Sequence, residues 1–592
     1  MLWSKNLGFW RHNIRLERVL GYYSDRLLGQ HPVNAIPGGM RMNLEVHRPH
    51  APPMPAGRVQ HGEVGKRQPR DGRTRWGVAL ALTLMQHAAA AGQAAPALPE
   101  ALQAYVDESL KEWEIPGAAI AVVKDGRPDA LYVFGVLELS RPEAVDVDTI
   151  FDAASLAKSF TAAAIATLVD EQRLAWDDPV RKLLPAQEFP DPYLTANVTL
   201  RDLLCHRTGV AATNGAWMFS DLTPKQLIGL VKNMRIDAPF RTRMIYSNVG
   251  YTIAGETAAA AAGMSWEELV TQRLLVPLGM KRTTTSFDAA PSMGNCASGH
   301  AMLSPANSYE DPSIKGYVQR PTPRGTARNS TAPAGSLLSS VTDLATWMIF
   351  QLGDGTLADK RIISPEAMNQ MHSPHIIIPT TPAMRAARQV RFFPGYGSGW
   401  QVMDYRGESL LWHTGAGHGQ RAYMALFPGA RLGIVVLLNS SKVEGLHLAL
   451  GARIADHCLE LPTRDYCAEL REPWERDLRA WENSVRERLA SRRTGTAPSL
   501  ALSDYAGSYR DPLGLDAVVA HADDELVMRY GGGERAKLMH WHDDTFVARW
   551  ENPFHAEDYF TLVSFELGEP GKIARLRTTL GRDAVDAVRL EP

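Results

Sequence analysis

Ser155 and Lys158 stand three residues apart in Ser155-Leu-Ala-Lys158, at the start of a stretch with helical spacing. At i and i+3 two side chains share one helix face. A lysine there sets its nitrogen beside the serine hydroxyl. It can stabilise a developing alkoxide or, with its pKa lowered by burial, take the hydroxyl proton. The helix N-terminus adds positive potential and a backbone N–H beside Ser155. Tyr246-Ser247-Asn248 carries a second pair of groups. A phenol with an ordinary pKa of about 10 is a poor base at neutral pH. Placed between cations such as Lys158, it can become a phenolate or a proton shuttle. The Asn248 amide can bind a substrate carbonyl or hold Lys158 in place. His413-Thr414-Gly415 closes a strand-like run and precedes Ala416-Gly-His-Gly419. A strand edge carrying glycine can come close to a substrate and donate an N–H. The N–H groups of Ser155 and Ala416 would then form an oxyanion hole, with His413 supplying a donor or a charge near the phenol. Taken alone, each motif is more often plain structure than chemistry.

The elements that must position these groups mix strands and helices from about Leu98 to Leu461. Ala101 to Trp113 has helical spacing. Ala118 to Val123 is a buried-strand run, and the turn Lys124-Asp-Gly126 leads into a second strand, Ala130 to Phe134. Helical stretches follow over Leu156 to Glu171, Pro224 to Lys232 and Ser265 to Leu275. Strands return over Gly399 to Tyr405, Ser409 to Trp412, Arg421 to Phe427 and Leu432 to Asn439. Early hairpin, helical middle and late meander are the order expected when both ends of one domain build a single antiparallel sheet. Residues 462–497 read as a linker helix with Trp474, Leu478, Trp481, Val485 and Leu489 at helical spacing. Residues 498–592 alternate between Gly/Pro/Asp turns, with strands expected over Ala517 to Ala520, Glu525 to Tyr530, Thr545 to Trp550, Tyr559 to Phe565 and Ala574 to Thr579. The expected class is α+β, an antiparallel sheet flanked by helices plus an all-helical subdomain, followed by a small all-β barrel-like domain.

Composition sets bounds on function. Of 592 residues, 45% are apolar and 22% charged, which excludes wholesale disorder and fibrous architectures. The 63 Lys and Arg balance 65 Asp and Glu, so nothing favours nucleic acid as the main partner. The four cysteines are too few for a disulfide scaffold and lack zinc-ligand spacing. His540-Trp-His542 puts two imidazoles on one strand face, but no third ligand is evident. His206 reads as a core histidine holding a loop.

The first 75 residues hold thirteen Lys and Arg against five Asp and Glu. Residues 1–74 are expected to be disordered or not translated. Residues 75–95 join a basic flank, an apolar run from Trp76 to Met85 and the small-residue stretch Ala88 to Ala95, the three parts of a secretory signal. The run is too short and interrupted to span a bilayer comfortably. The expectation is a secreted or periplasmic protein whose mature chain has no membrane span. In an oxidising compartment Cys458 and Cys467 could pair.

Together the three motifs change the reading. In their order along the chain the sequence resembles the serine β-lactamase-like superfamily. The resemblance is strongest to the branch holding class C β-lactamases, D-Ala-D-Ala carboxypeptidases, D-aminopeptidases and related esterases. It extends through Ile115-Pro-Gly-Ala-Ala-Ile-Ala-Val-Val-Lys-Asp-Gly126, Thr149 to Thr161, Asp177-Asp-Pro-Val180, Leu203-Leu-Cys-His206 and Tyr246-Ser-Asn-Val-Gly-Tyr251. Ala334 to Leu344, Tyr396-Gly-Ser-Gly-Trp400 and Gly433 to Asn439 complete it. It covers most of residues 98–461. The C-terminal segment is similar to a small barrel-like module appended to some of these hydrolases.

The resemblance implies a β-lactamase/transpeptidase-like fold and a serine hydrolase that cleaves amide or ester bonds through an acyl-enzyme, with no cofactor or metal. It implies Ser155 as nucleophile, Lys158 as its activator and Tyr246 as general base or proton relay. Asn248, His413, Thr414, Gly415 and Ala416 fall on the substrate side, facing a small molecule or peptide. Three departures stand out. Phe240-Arg241 occupies the place of a frequent Pro-Gly before the tyrosine. Cys205-His-Arg-Thr-Gly209 replaces the usual Thr-His-Thr-Ser-Gly. His413 stands where β-lactamases commonly carry lysine, which is more similar to peptidases and esterases. The competing reading is a non-catalytic peptide- or cell-wall-binding protein that keeps the fold. A third gives the C-terminal module the specific role. The signal reading predicts that N-terminal sequencing of exported protein finds a chain starting after the small-residue stretch; a mature chain beginning at residue 1 refutes it.

Overall fold

The computed structural model describes residues 97–303, 318–321, 330–379, 394–552, 561–569, 571–581 and 583–591. The expectations for residues 1–74 and for the signal-like segment 75–95 lie outside the described residues.

The apolar run after Pro116 forms a central strand because both of its faces are covered. Ala119, Ala121 and Val123 point into one core and Ala118, Ile120 and Val122 into another. A strand buried on both sides reads as continuous hydrophobic sequence rather than as alternation. The elements that matter for the site are, in chain order, α1 (Glu100–Glu112), β1 (Gly117–Lys124), β2 (Arg127–Gly135), α2 (Ala157–Asp170), α3 (Asn248–Ala262), α4 (Val341–Leu352), β3 (Ile376–Ile377), β4 (Gly395–Tyr396), β5 (Gln401–Tyr405), β6 (Glu408–Gly417), β7 (Gln420–Phe427), β8 (Leu432–Leu438), α5 (Leu446–Cys458) and α6 (Arg471–Ala490). The sheet runs in the order β3-β4-β5-β6-β7-β8-β1-β2, all antiparallel. β1 from the early hairpin pairs with the late strand β8, Ala118 opposite Leu438 through Lys124 opposite Leu432. The two ends of the domain thus meet in one sheet.

One sheet face packs on α4 and, beyond it, on the helical middle of the chain; α1 and α5 cover the other. α2 is buried on nearly every side, and its run Ala162-Ala-Ala-Ile-Ala166 is fully enclosed. Small side chains let neighbouring helices and the sheet approach closely. The stack of Phe160 on Trp347, centroids 3.8 Å apart, ties α2 to α4.

After α6 come eight antiparallel strands: β9 (Gly507–Arg510), β10 (Asp516–Ala522), β11 (Glu525–Tyr530), β12 (Arg535–His542), β13 (Thr545–Trp550), β14 (Leu562–Leu567), β15 (Ile573–Leu580) and β16 (Asp583–Arg589). They close into a barrel, β16 pairing back onto β9. The interior is filled by Tyr509, Met528, Tyr530, Phe546, Phe565 and Leu576, as expected of eight strands. The α+β class with an appended small barrel is therefore the observed architecture. His540 and His542 flank a register shift against β13 and turn toward Asp543. All four cysteines are free, including Cys458 and Cys467, which could pair only in an oxidising compartment; Cys467 is buried, its backbone N–H donating to the Tyr105 hydroxyl of α1. No helix among the described residues is long and apolar enough to cross a membrane.

Phe160 is fully buried in the stack that fixes α2. Phe160→Ala is expected to cost about 3–5 kcal/mol of stability through lost transfer energy and a cavity, read as a lower urea midpoint at unchanged m-value.

Candidate active site

Ser155 lies in a tight 3₁₀ turn, Ala154–Leu156, that joins the short strand Phe151–Asp152 to α2. The residue before it, Ala154, is held at φ 45°, a left-handed conformation that alanine rarely adopts. The Asp152 carboxylate fixes the turn. It accepts from the Ala154 N–H at 2.9 Å and from the His418 N–H at 3.3 Å, linking the turn to the β6–β7 hairpin. β6 is paired with β5 only as far as Trp412, so its later residues form an edge on that side. A Cβ at Gly415 would sit 2.1 Å from the Ala153 carbonyl oxygen. Glycine there lets the edge lie directly against the turn that carries Ser155.

Lys158 follows one turn later, fully buried. Its Nζ lies 3.0 Å from Ser155 Oγ, 2.8 Å from Asn248 Oδ1 and 2.7 Å from the Ala334 carbonyl oxygen. Desolvation pulls its pKa well below the ordinary lysine value. The partners agree with a neutral amine. Two carbonyl oxygens can only accept, so they take two N–H donors and leave the nitrogen lone pair facing Ser155 Oγ. The nitrogen also lies 4.6 Å from the centroid of the Tyr246 ring and 5.4 Å from that of Tyr251. Those faces would stabilise an ammonium formed transiently.

Tyr246 immediately precedes α3, whose start is capped by the Ser247 hydroxyl accepting from the Gly250 N–H. The Tyr246 hydroxyl donates to Ser155 Oγ at 3.0 Å. Desolvation pushes its pKa up, so the phenolate is disfavoured and the phenol is a proton donor. His206 holds this segment from behind. Its Nδ1 accepts from the Ser247 N–H at 3.1 Å and its ring packs 4.5 Å from that of Tyr246. The reading of His206 as a core residue that holds a loop matches this placement.

His413 is buried, and both ring nitrogens are committed elsewhere. Nδ1 lies 2.7 Å from the Thr414 carbonyl oxygen, which can only accept, so Nδ1 carries the proton. Nε2 then accepts from the Tyr396 hydroxyl at 2.9 Å. Burial pushes its pKa down to about 3. The expectation that His413 offers a donor or a charge to the phenol is corrected: it is a neutral ring 6.2 Å, centroid to centroid, from that of Tyr246. Asn248 holds Lys158, the second of its two expected tasks. Ser155, Tyr246, Asn248 and Thr414 are half-buried and Ala416 is exposed, so the cluster opens to solvent on the side of the β6 edge.

The departures before Tyr246 also find a physical account. Arg241 takes φ 64°, a conformation glycine adopts freely. Its guanidinium compensates by binding the buried Asp202 carboxylate through Nε at 2.9 Å and Nη2 at 2.8 Å. Arg207, the other departure, donates to the same carboxylate at 2.6 Å. Sequence reasoning missed Asp152, Asp202, Tyr396 and the Ala334 carbonyl. A backbone oxygen leaves no signal in its residue type, and buried acids look like surface acids until their partners are placed.

A family model described as Beta-lactamase matches residues 102–459, and one described as a domain of unknown function (DUF3471) matches residues 491–590. An unguisins hydrolase of Aspergillus campestris is 26% identical over 435 residues, 69% of this chain and 75% of that protein. Penicillin-binding protein 4 of Amycolatopsis lactamdurans is 29% identical over 336 residues, 56% of this chain and 83% of that protein. The solved structure of the octameric penicillin-binding protein homologue from Pyrococcus abyssi shares the fold. It has a TM-score of 0.51 and 23% identity, and the match covers 82% of this chain and 99% of that one.

A lysine neutral when folded and protonated when unfolded makes stability depend on pH. Between the lowered Lys158 pKa and the ordinary value of about 10.4, the unfolded chain holds the extra proton. Raising pH through that window therefore stabilises the fold. Lys158→Met removes this dependence. Urea melts across pH 7 to 9.5 are expected to show the stability of the parent rising relative to Lys158→Met, by up to about 1.4 kcal/mol per pH unit; parallel curves would refute a neutral Lys158.

Proposed function

The chain belongs to the beta-lactamase family, a serine hydrolase in general terms, and we propose that it cleaves amide or ester bonds through an acyl-enzyme on Ser155. One observation carries the reading: Ser155 Oγ lies 3.0 Å from both Lys158 Nζ and the Tyr246 hydroxyl, at an opening to solvent.

Lys158 takes the hydroxyl proton as Ser155 Oγ bonds to the substrate carbonyl carbon, and the carbonyl electron pair moves onto oxygen. Backbone N–H groups of Ser155 and Ala416 receive that oxyanion. Its collapse breaks the bond to the amine or alcohol. The leaving group takes the Tyr246 proton, and the Lys158 ammonium, 4.6 Å from the centroid of the Tyr246 ring, returns one to the phenolate, since the acylated Ser155 Oγ can no longer carry it. Water then attacks the acyl-enzyme with the same groups in reverse order. Lys158 and Tyr246 act as one coupled unit. Asn248 keeps the amine aimed at Ser155. His413 is a positioning residue that holds the β6 edge through Tyr396.

Candidate substrates are D-amino-acid peptides, short acyl esters and β-lactams, in that order. The neutral His413, where β-lactamases commonly carry lysine, supports the first two. The relatives named as a hydrolase and a penicillin-binding protein fit this range.

Ser155→Ala is expected to abolish labelling by a fluorophosphonate. Lys158→Ala is expected to slow acylation about 10³-fold and Tyr246→Phe about 10²-fold, the span of general acid–base contributions. A panel of the three substrate classes on the purified protein, with Ser155→Ala as blank, checks the assignment. Parental turnover by Ser155→Ala would overturn it.

A further inference from the structure

Between His206 and Tyr246 the chain leaves the site and returns to it. The two limbs are laced together near the site. The Ile245 N–H donates to the His206 carbonyl at 2.8 Å, the Arg241 N–H to the Arg207 carbonyl at 2.8 Å, and the Asp237 N–H to the Gly209 carbonyl at 2.9 Å. Val210 bridges Ile236, and the Ala211 N–H donates to the Arg235 carbonyl at 2.9 Å. Asp202 clips both limbs through Arg207 and Arg241. The inner end of this stem carries Tyr246 directly.

Its outer end rests on the barrel. Asp583, at the start of β16, accepts the Gly215 N–H at 2.5 Å. The buried ring of Phe219 lies 4.8 Å from that of Trp550 in β13. The Asp221 N–H donates to the Gly531 carbonyl at 3.1 Å, and Asn233 Nδ2 to the Leu513 carbonyl at 2.9 Å. The surfaces meet backbone to backbone. A Cβ on Gly533 would sit 2.3 Å from the Phe219 carbonyl oxygen, and one on Gly215 2.8 Å from that of Leu580. Neither glycine has the positive φ that would require glycine for its own conformation. Close approach of the two domains is what excludes a side chain there.

We propose that the barrel is a positioning element for the catalytic tyrosine: by pinning the outer end of residues 207–245, it fixes the stem whose inner end aims the Tyr246 hydroxyl at Ser155. This rests on the reading of Tyr246 as proton donor to Ser155. Residues 224–229 of the excursion pack on α3, and Gln187 Nε2 donates to the Ile228 carbonyl at 3.1 Å; the barrel holds residues 214–221, which would otherwise carry their freedom into the stem, and displacement by about 1 Å at a reacting group can cost 10²-fold in rate. The contact is a single hydrogen bond from the Gly215 N–H, and an amide oxygen at position 583 would accept it as a carboxylate does.

The test is the rate constant for acylation of Ser155 by a fluorescent penicillin in the full chain, which does not depend on the fraction of active protein and whose leaving amine, unlike fluoride, needs the Tyr246 proton. Asp583→Ala and Gly533→Ala are expected to slow it about tenfold or more, while Asp583→Asn stays near the parental rate. In a Tyr246→Phe background neither Asp583→Ala nor Gly533→Ala should slow it further, since the group they position is already gone. Parental rates in both alanine variants overturn the proposal. So does the same fold loss in the Tyr246→Phe background, which would mark a general loosening of the fold. Labelling of Ser155→Ala would defeat the site reading itself and is told apart because it involves no barrel residue.

Discussion

Enclosing the Lys158 amine among neutral oxygens is the condition the rest of the site answers to. An ammonium taken out of water without a counter-charge is expensive, and the amine avoids that by giving up its proton. Its hydrogen-bonding partners are a serine hydroxyl, an asparagine amide and a backbone carbonyl, none of them charged. A carboxylate in any of those places would hold the ammonium instead. The alanine-rich packing of α2 serves the same end, since small side chains let Ala334 and Asn248 come within 2.8 Å of the nitrogen.

The charges that do appear stand one layer further out, where they hold backbone. Asp152 binds N–H groups of the turn that carries Ser155 and of the β6–β7 hairpin, and Asp202 binds the two limbs of the stem. Each sits beside a residue forced into left-handed backbone, Ala154 and Arg241. Such conformations persist only where surrounding contacts over-determine them. At Arg241 the compensation is visible in one side chain: the residue that carries the strain also makes the ion pair that holds it.

What the sequence discloses follows from how local each signal is. The i, i+3 spacing of Ser155 and Lys158 is a property of one helical turn, and the structure keeps it although α2 itself begins two residues after Ser155. The two-faced burial of β1 was legible as an unbroken apolar run, and the late strands as alternation before turn residues. In the barrel, Gly507–Arg510 and Asp583–Arg589 carried no clear signal, and Arg535–His542 was read as strand only at His540 to His542. Charged residues on their outer face and short lengths blur the alternation that closure of the barrel makes sufficient. The state of His413 was illegible for a different reason. Its residue type permits charge, and only the Thr414 carbonyl and the Tyr396 hydroxyl, placed by tertiary structure, decide that it is neutral.

The same distinction bears on the appended barrel. By composition and turn spacing it reads as a separate module, but its filled interior is continuous with the core of the preceding domain. What couples two domains is the stiffness of whatever they share. Here they share the outer end of one chain excursion, gripped by close backbone contact at Gly215 and Gly533 together with the Asp583 carboxylate and the Phe219–Trp550 pair. Backbone contacts at that range tolerate little sliding. A stem laced by main-chain hydrogen bonds and clipped by Asp202 then leaves few soft joints between the barrel surface and the Tyr246 hydroxyl.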